Sequence, residues 1–483
     1  MSHTPYAMSQ PVNYLLLATA LLGTFFSGTA TRIVAISMPT VASSLQTDLI
    51  GISWALLAYQ LSNIGLSIIF GRVADLWGRE KIFALGFLVF SVGSLFCGLS
   101  QSILQLILSR FAQGVGGAML QSSSRALAAE SVPEELGGRA QGYMTTAHHV
   151  GFVLGPSIGG VMIDYLSWRW SFFFLVPIGF CGALLSLANV KSSGSIPHRR
   201  QVTIDYLGAA LLVVTTTTLV LIFDRRTHEI IDTRLKVLLV AIFLASLAAL
   251  ILHESKAKSP FVNLELFKIR RFSFSVVSLL IMAICYSVIS FLMPFYLQGI
   301  LGFSPTAVGL LFMAPSILTV ALAPLSGTMT DRLGPRAPAT FGAAIMVASL
   351  AIGGWLRTDS DWFLPTSLIV LGAMTNGIFN PANSMAMIGM MPKEHRGFAS
   401  AVNHVTFGLG NVLGVAMGGF LMAIAFEQQT GLAGLRPTTD NAAGFVSAFN
   451  TTFVAAAVLS AGAVATSMAR GGTKPGTERA VGL

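Results

Sequence analysis

The chain has 483 residues, 54% of them apolar and only 10% charged, with a formal net charge of +9. Soluble proteins carry about 25% charged residues, so a water-facing shell around a single core is excluded, and disorder, a disulfide scaffold and a soluble multidomain enzyme go with it. The positive charge does not mark a nucleic-acid binder, because the basic residues sit between apolar runs and not on one face of a folded domain. The 48 glycines and 33 phenylalanines suit membrane helices. Cys97, Cys181 and Cys285 each lie inside a long apolar run and read as small buried hydrophobes, so they say nothing of the redox compartment.

A helix that crosses a bilayer needs about 20 mostly apolar residues. Fourteen such runs are present, at 14–36, 49–70, 82–99, 103–128, 140–163, 170–190, 206–223, 235–252, 272–298, 306–330, 337–356, 364–391, 397–424 and 445–468. The first is not preceded by Lys or Arg and has no small-residue cleavage site, so it is expected to be retained. With the N-terminus in the cytoplasm, 20 basic residues fall on the inner side and seven on the outer, and Arg32 and Arg110 lie within spans. That bias predicts both termini inside. The loop at 224–236 is the exception, with four basic residues outside.

The chain repeats itself. Gly71-Arg-Val-Ala-Asp75-Leu-Trp-Gly78 follows span 2, and Gly327-Thr-Met-Thr-Asp331-Arg-Leu-Gly334 follows span 10, at an offset of 256. Arg139 and Gly151 of span 5 match Arg396 and Gly408 of span 13 at 257. Two related halves are a transporter habit. The repeat pairs span 2 with span 10, so two spans are in surplus, at 206–223 and 235–252. The expected organisation is a six-helix bundle over 1–190, an inserted helix pair over 191–271, a second bundle over 272–470 and a cytoplasmic tail over 471–483.

Several segments carry a family resemblance, in order along nearly the whole chain. They are Gly71 to Arg79 between spans 2 and 3, Arg110-Phe-Ala-Gln113-Gly114-Val-Gly116 in span 4, and Gly151-Phe-Val-Leu-Gly155-Pro156-Ser-Ile-Gly159-Gly160 in span 5. Trp168 to Pro177 at the entry to span 6 and Pro260 to Phe267 before span 9 complete the set. On these the chain resembles the major facilitator superfamily, in its fourteen-helix drug–proton antiporter branch. The resemblance implies an all-α membrane fold of two six-helix bundles plus two extra helices, in a bacterial inner membrane. It implies a monomer that moves small molecules against protons, with no cofactor.

Each motif has a physical reading beside a plainer one. Gly71 and Gly78 permit a tight turn, and Asp75 can pair with Arg79 as a conformational latch; the plainer reading is a solvated turn. In the second copy Pro335 stands in place of Arg79, and Arg332 is the candidate partner of Asp331. Gly151, Gly155 and Gly159 share one helix face, with Pro156 adding a possible kink, which fits either an antiporter hinge or simple packing. Arg110 lies about 10 Å into its span at 1.5 Å per residue. It needs a partner or a wet cavity, shared with Gln113 one turn on, unless it snorkels to an interface. Asn376, Asn380 and Asn383 form one polar face, which lines either a cavity or a neighbouring helix. Tyr286, Phe291, Tyr296 and Gln298 offer an amphipathic wall, or core.

Span 1 departs from the family. The usual aspartate, nine residues before the helix-end proline Pro39, is Ala30 here, and Arg32 follows two residues later. All 20 acidic residues fall in loops or within about a turn of a span end. A cationic cargo would want a buried anion, so this weakens the cationic-drug expectation. Histidine titrates near neutrality, which makes His148, His149 and His404 the proton-coupling candidates, with structural histidines as the alternative and Glu130 or Asp164 next in line. Adjacent His148 and His149 diverge by about 100° on a helix, which disfavours a metal pair.

The chain contains no phosphate-binding loop, nucleophile elbow or paired intramembrane carboxylates, and nothing suggests a multisubunit selectivity ring. A secondary carrier for amphipathic molecules is expected. The alternative is a carrier or exporter of an anionic or lipid-like metabolite, suggested by Arg32 and Arg110.

Overall fold

The computed structural model describes residues 12–133, 136–193, 206–223, 232–256, 264–389, 391, 393–431 and 441–470. The basic residues counted above at 194–205, 224–231, 257–263 and 471–483, and the expected tail, lie outside them.

Fourteen helices of 17 residues or more are found among the described residues. These are α1 (Tyr14–Ser44), α2 (Leu49–Trp77), α3 (Arg79–Leu99), α4 (Ile103–Glu130), α5 (Gly137–Tyr165), α6 (Leu175–Ser193), α7 (Tyr206–Ile222), α8 (Thr233–Lys256), α9 (Arg270–Gly299), α10 (Pro305–Leu333), α11 (Arg336–Gly353), α12 (Phe363–Ser384), α13 (Lys393–Thr430) and α14 (Ala442–Ala469). A single helical turn, Trp170–Phe173, precedes α6. Twelve of the helices are long and apolar enough to cross a membrane. Two of the fourteen predicted spans fall short. α5 opens on the polar run Gln141 to His149, and the apolar part of α7 is the shorter stretch Ala210–Ile222.

The duplication seen in the motifs extends to helix ends. Adding 256 to the bounds of α2, 49 and 77, gives 305 and 333, the bounds of α10. The Asp48 carboxylate accepts from Gly51 N (2.8 Å) to cap α2, and the Ser304 hydroxyl, 256 residues on, accepts from Ala307 N (3.2 Å) to cap α10. Such caps satisfy N–H groups that the helix itself leaves unpaired. The other ends stop at Gly78 (φ 99°) and Gly334 (φ 78°), a left-handed backbone that needs glycine.

Helix packing repeats in the same way. α1 lies on α5, α2 and α3 on α4, and α3 on α6; correspondingly α9 lies on α13, α10 and α11 on α12, and α11 on α14. The main contacts between these sets are α5 with α10, α2 with α13, and α1 with α9. The hydrogen bonds between α1 and α9 join residues 254 to 262 apart, close to the repeat offset, so these two helices cross near the axis that relates the halves.

α7 packs against α2 and α13, and α8 packs on α7, where the Thr215 hydroxyl donates to Ser246 Oγ (3.0 Å). Only 6% of the apolar window of α8 is buried, so apart from the face packed on α7 this helix is turned outward, as lipid contact allows.

Small residues set the closest crossings. A side chain at Gly151 would meet Phe25 O at 2.2 Å, one at Gly155 the Arg32 Cβ at 3.0 Å, and one at Gly159 Ile33 O at 2.9 Å. The glycine face of α5 is thus spent on α1. On the next face, Gly160 and Gly309 let α5 and α10 of opposite halves touch through Pro305 and Pro156 carbonyls, each 2.4 Å from the position of an added Cβ. A π-helical turn, Met385–Gly389, ends α12.

Candidate functional site

A cavity of about 560 Å³ lies between the halves, lined by α1, α2, α4 and α5 from one and α9 and α13 from the other. Its volume is in the range of small-molecule sites. Arg125 and Thr145 on its wall are exposed, at the end where α4 finishes and α5 starts. The opposite end is shut by contacts between halves. Gln298 Nε2 donates to Ile36 O (3.0 Å), the Thr40 hydroxyl to Gln298 Oε1 (3.3 Å) and the Ser157 hydroxyl to Met313 S (3.0 Å). Asp164 Oδ2 accepts from Thr306 N (2.8 Å), placing a carboxylate of α5 on the N-terminus of α10.

The four polar residues expected in spans 1, 5 and 13 converge on this cavity. Arg32 (α1), His148 and His149 (α5) and His404 (α13) all line it. The two adjacent imidazoles stand 5.9 Å apart, centre to centre, at 71°. His404 Nε2 lies 3.1 Å from Gln121 Nε2, joining α13 to α4 across the halves. Tyr286 and Phe291 also line the cavity, whereas Tyr296 is buried with its hydroxyl donating to Arg357 O (2.5 Å).

Arg110 and Gln113 are placed elsewhere. Arg110 is 1% exposed and packed among α2, α3 and α4. Its Nε donates to Ala55 O (3.0 Å) and its Nη1 to Gln113 Oε1 (2.5 Å), and Gln113 Nε2 donates to Ser94 Oγ (2.7 Å). Its guanidinium lies 4.3 Å from the centre of the Tyr59 ring. Tyr59 itself lines the cavity, so Arg110 backs the wall and does not form it. A local chain of protein acceptors holds this buried cation.

The asparagines of α12 do not line this cavity either. Asn380 Nδ2 donates to Asn376 Oδ1 (3.0 Å), and buried Asn383 donates to Ser275 O of α9 (3.2 Å). These amides bond within α12 and to a neighbouring helix, the plainer of their two readings.

The latch residues differ between copies. Arg79 donates to Asp75 Oδ1 through Nε (3.0 Å) and Nη2 (2.7 Å), and through Nη1 to Glu130, tying α3 to the ends of α2 and α4. Asp331 and Arg332 are both exposed, and among the described residues no ion pair joins them. Adjacent residues on a helix diverge, which explains why Arg332 does not replace Arg79.

Polar wall residues missed in the sequence are Gln60 and Asn63 of α2, Gln121 of α4, Gln141 of α5 and Ser290 of α9. Gln121 and Arg125 at i, i+4 were the available signal. Among the described residues no group of three or more His, Cys, Asp or Glu is arranged to hold a metal ion.

A duplicated, all-helical membrane protein with a cavity between its halves, open at one end and shut at the other, is a membrane transporter. The family model described as "Major Facilitator Superfamily" matches residues 20–295 and 275–480, and the chain belongs to that family. It is 27% identical over 404 residues to the riboflavin transporter RibZ of Clostridioides difficile, covering 82% of this chain and 86% of that one. It is 26% identical to the multidrug transporter protein MdtP of Bacillus subtilis, covering 84% and 75%. It is 29% identical to the putative multidrug resistance protein MdtD of Pectobacterium atrosepticum, covering 86% and 89%. Among solved structures, a bacterial homolog of the human lysosomal transporter Spinster, inward-facing and unoccupied, superposes with a TM-score of 0.69 at 16% identity, over 96% of this chain and 97% of that one.

Proposed function

We propose that the chain is a secondary active carrier that exports amphipathic small molecules in exchange for protons, by alternating access of the central cavity. The observation that carries this reading is the cavity's construction: both halves supply its wall, and direct contacts between halves close one end. Rocking the halves about the α1–α9 crossing would exchange the open end for the closed one. In this reading all fourteen helices cross a bacterial inner membrane, both termini are cytoplasmic, and the open end faces the cytoplasm. The chain works as a monomer, as two bundles with α7 and α8 at the periphery. The names of the MdtP and MdtD relatives support a multidrug-type substrate range. An anionic or lipid-like metabolite is the second reading, favoured by a cavity wall that holds Arg32 and Arg125 and, among the described residues, no Asp or Glu.

The test is transport in everted vesicles under an imposed pH gradient, screened over cationic, neutral and anionic compounds. Gradient-dependent uptake of at least one compound, absent from vesicles without the protein, is expected. If no compound of the three charge classes is taken up, the reading fails.

The Asp75–Arg79–Glu130 cluster is the latch in this scheme, since it holds the ends of α2, α3 and α4 together beside the open end. Asp75→Asn removes the charge that receives two donors from Arg79. Transport is expected to fall by about tenfold or more, since a lost charge-assisted hydrogen bond costs about 1.5–3 kcal/mol and each 1.4 kcal/mol is about tenfold, with insertion unchanged. Wild-type turnover at equal expression would remove the latch.

A further inference from the structure

The geometry points to an anion subsite at Arg32, and so to cargo that carries a carboxylate or sulfonate group on a planar apolar body. This deepens, and rests on, the transport reading above.

Arg32 is 7% exposed and lines the cavity. Its Nη1 donates to Ser290 Oγ (2.6 Å) and its Nη2 to the Tyr286 hydroxyl, both of α9. Its Nε is buried without a partner. One aromatic ring lies close to the guanidinium, Phe152 with its centre 3.8 Å away, and the Tyr286 ring is 5.1 Å away. Every one of these neighbours is neutral. A buried charge held by neutral groups alone is poorly compensated.

The rest of the wall does not supply the missing charge. Its other residues that carry or can gain a positive charge are Arg125 and the three histidines, and among the described residues neither Asp nor Glu lines the cavity. Arg110, the other deeply buried arginine in this half, is different. It is walled off from the cavity, and its Nε already has a carbonyl partner. Arg32 therefore offers what Arg110 does not: a cation on the wall of open space, held there by neutral partners alone. An anionic group reaching it gains a charge-assisted hydrogen bond, and a cation there is repelled. Tyr59, Tyr286 and Phe291 supply aromatic surface for the apolar body of such a molecule.

Fluorescein and rhodamine 6G share a tricyclic xanthene core and differ in charge, the first anionic and the second cationic. Each is titrated with the purified full-length protein and followed by fluorescence anisotropy. Fluorescein is expected to bind at least tenfold more tightly than rhodamine 6G, about 1.4 kcal/mol. Arg32→Gln should abolish that preference and Arg32→Lys should keep most of it. Equal affinities, a preference for rhodamine 6G, no fluorescein binding, or a preference that survives Arg32→Gln would overturn the subsite. The comparison of the two dyes on the unaltered protein decides the matter even if Arg32→Gln fails to fold. Vesicles that take up rhodamine 6G, from a protein that does not favour fluorescein, would remove the anion subsite and leave the transport reading standing.

Discussion

Replacing His148, His149 and His404 together with glutamine is expected to abolish accumulation driven by a pH gradient while downhill exchange continues. The three imidazoles line one cavity from both halves, and glutamine keeps hydrogen bonding while removing titration. The usual span 1 carboxylate is Ala30, and an arginine keeps its proton at physiological pH, so these histidines are the groups on the wall able to exchange one. The measurement is uptake against a concentration gradient in vesicles under a fixed pH difference, beside counterflow in the same vesicles with no pH difference. If the triple variant still concentrates substrate, the histidines are structural. The next candidates are then Glu130, which meets Arg79, and Asp164, which caps α10.

The second large effect is on assembly. Gly151→Val is expected to destabilise the protein by about 3 kcal/mol or more, beyond the usual range for one added methylene in a packed core. Its Cβ alone would stand 2.2 Å from the Phe25 carbonyl oxygen, a backbone atom that cannot rotate away. Gly142→Val, two and a half turns earlier on the same helix, is the control, because nothing lies within 4 Å of a Cβ there. Thermal unfolding of detergent-purified protein should separate the two variants, with Gly142→Val close to wild type. Equal melting temperatures would mean that α1 and α5 are not held at this distance.

The α5 glycine stripe was legible in the sequence as a close-packing face, but its partner was not. Spacing shows which residues share a face and not which way the face points. Arg110 illustrates the limit: its depth within span 4 announced a need for a partner and its spacing pointed to Gln113, but nothing in the chain order indicated that Ala55 O would join them and hold both behind the wall. The asparagines of α12 misled in the same way, since a polar stripe reads alike whether it meets water or Ser275 O. His148, His149 and His404 were found because they titrate near neutrality in spans whose interiors hold no carboxylate. The shortfall of α5 as an apolar span has the same origin, because the residues that make it polar are those it turns toward the cavity.

The crossing of α1 and α9 has a consequence for how the two halves came to differ. In a dimer of identical chains, a residue on the two-fold axis faces its own copy. Arg32 meets α9 between Tyr286 and Ser290, and adding the repeat offset of 256 to 32 gives Val288. A symmetric ancestor with arginine at this place would have set two guanidinium groups against each other in a buried site, a repulsive pairing. Fusing the copies into one polypeptide removes that constraint, since each half can then change alone. A single unmatched cation on the axis is thus a feature open to a fused pair and closed to a homodimer.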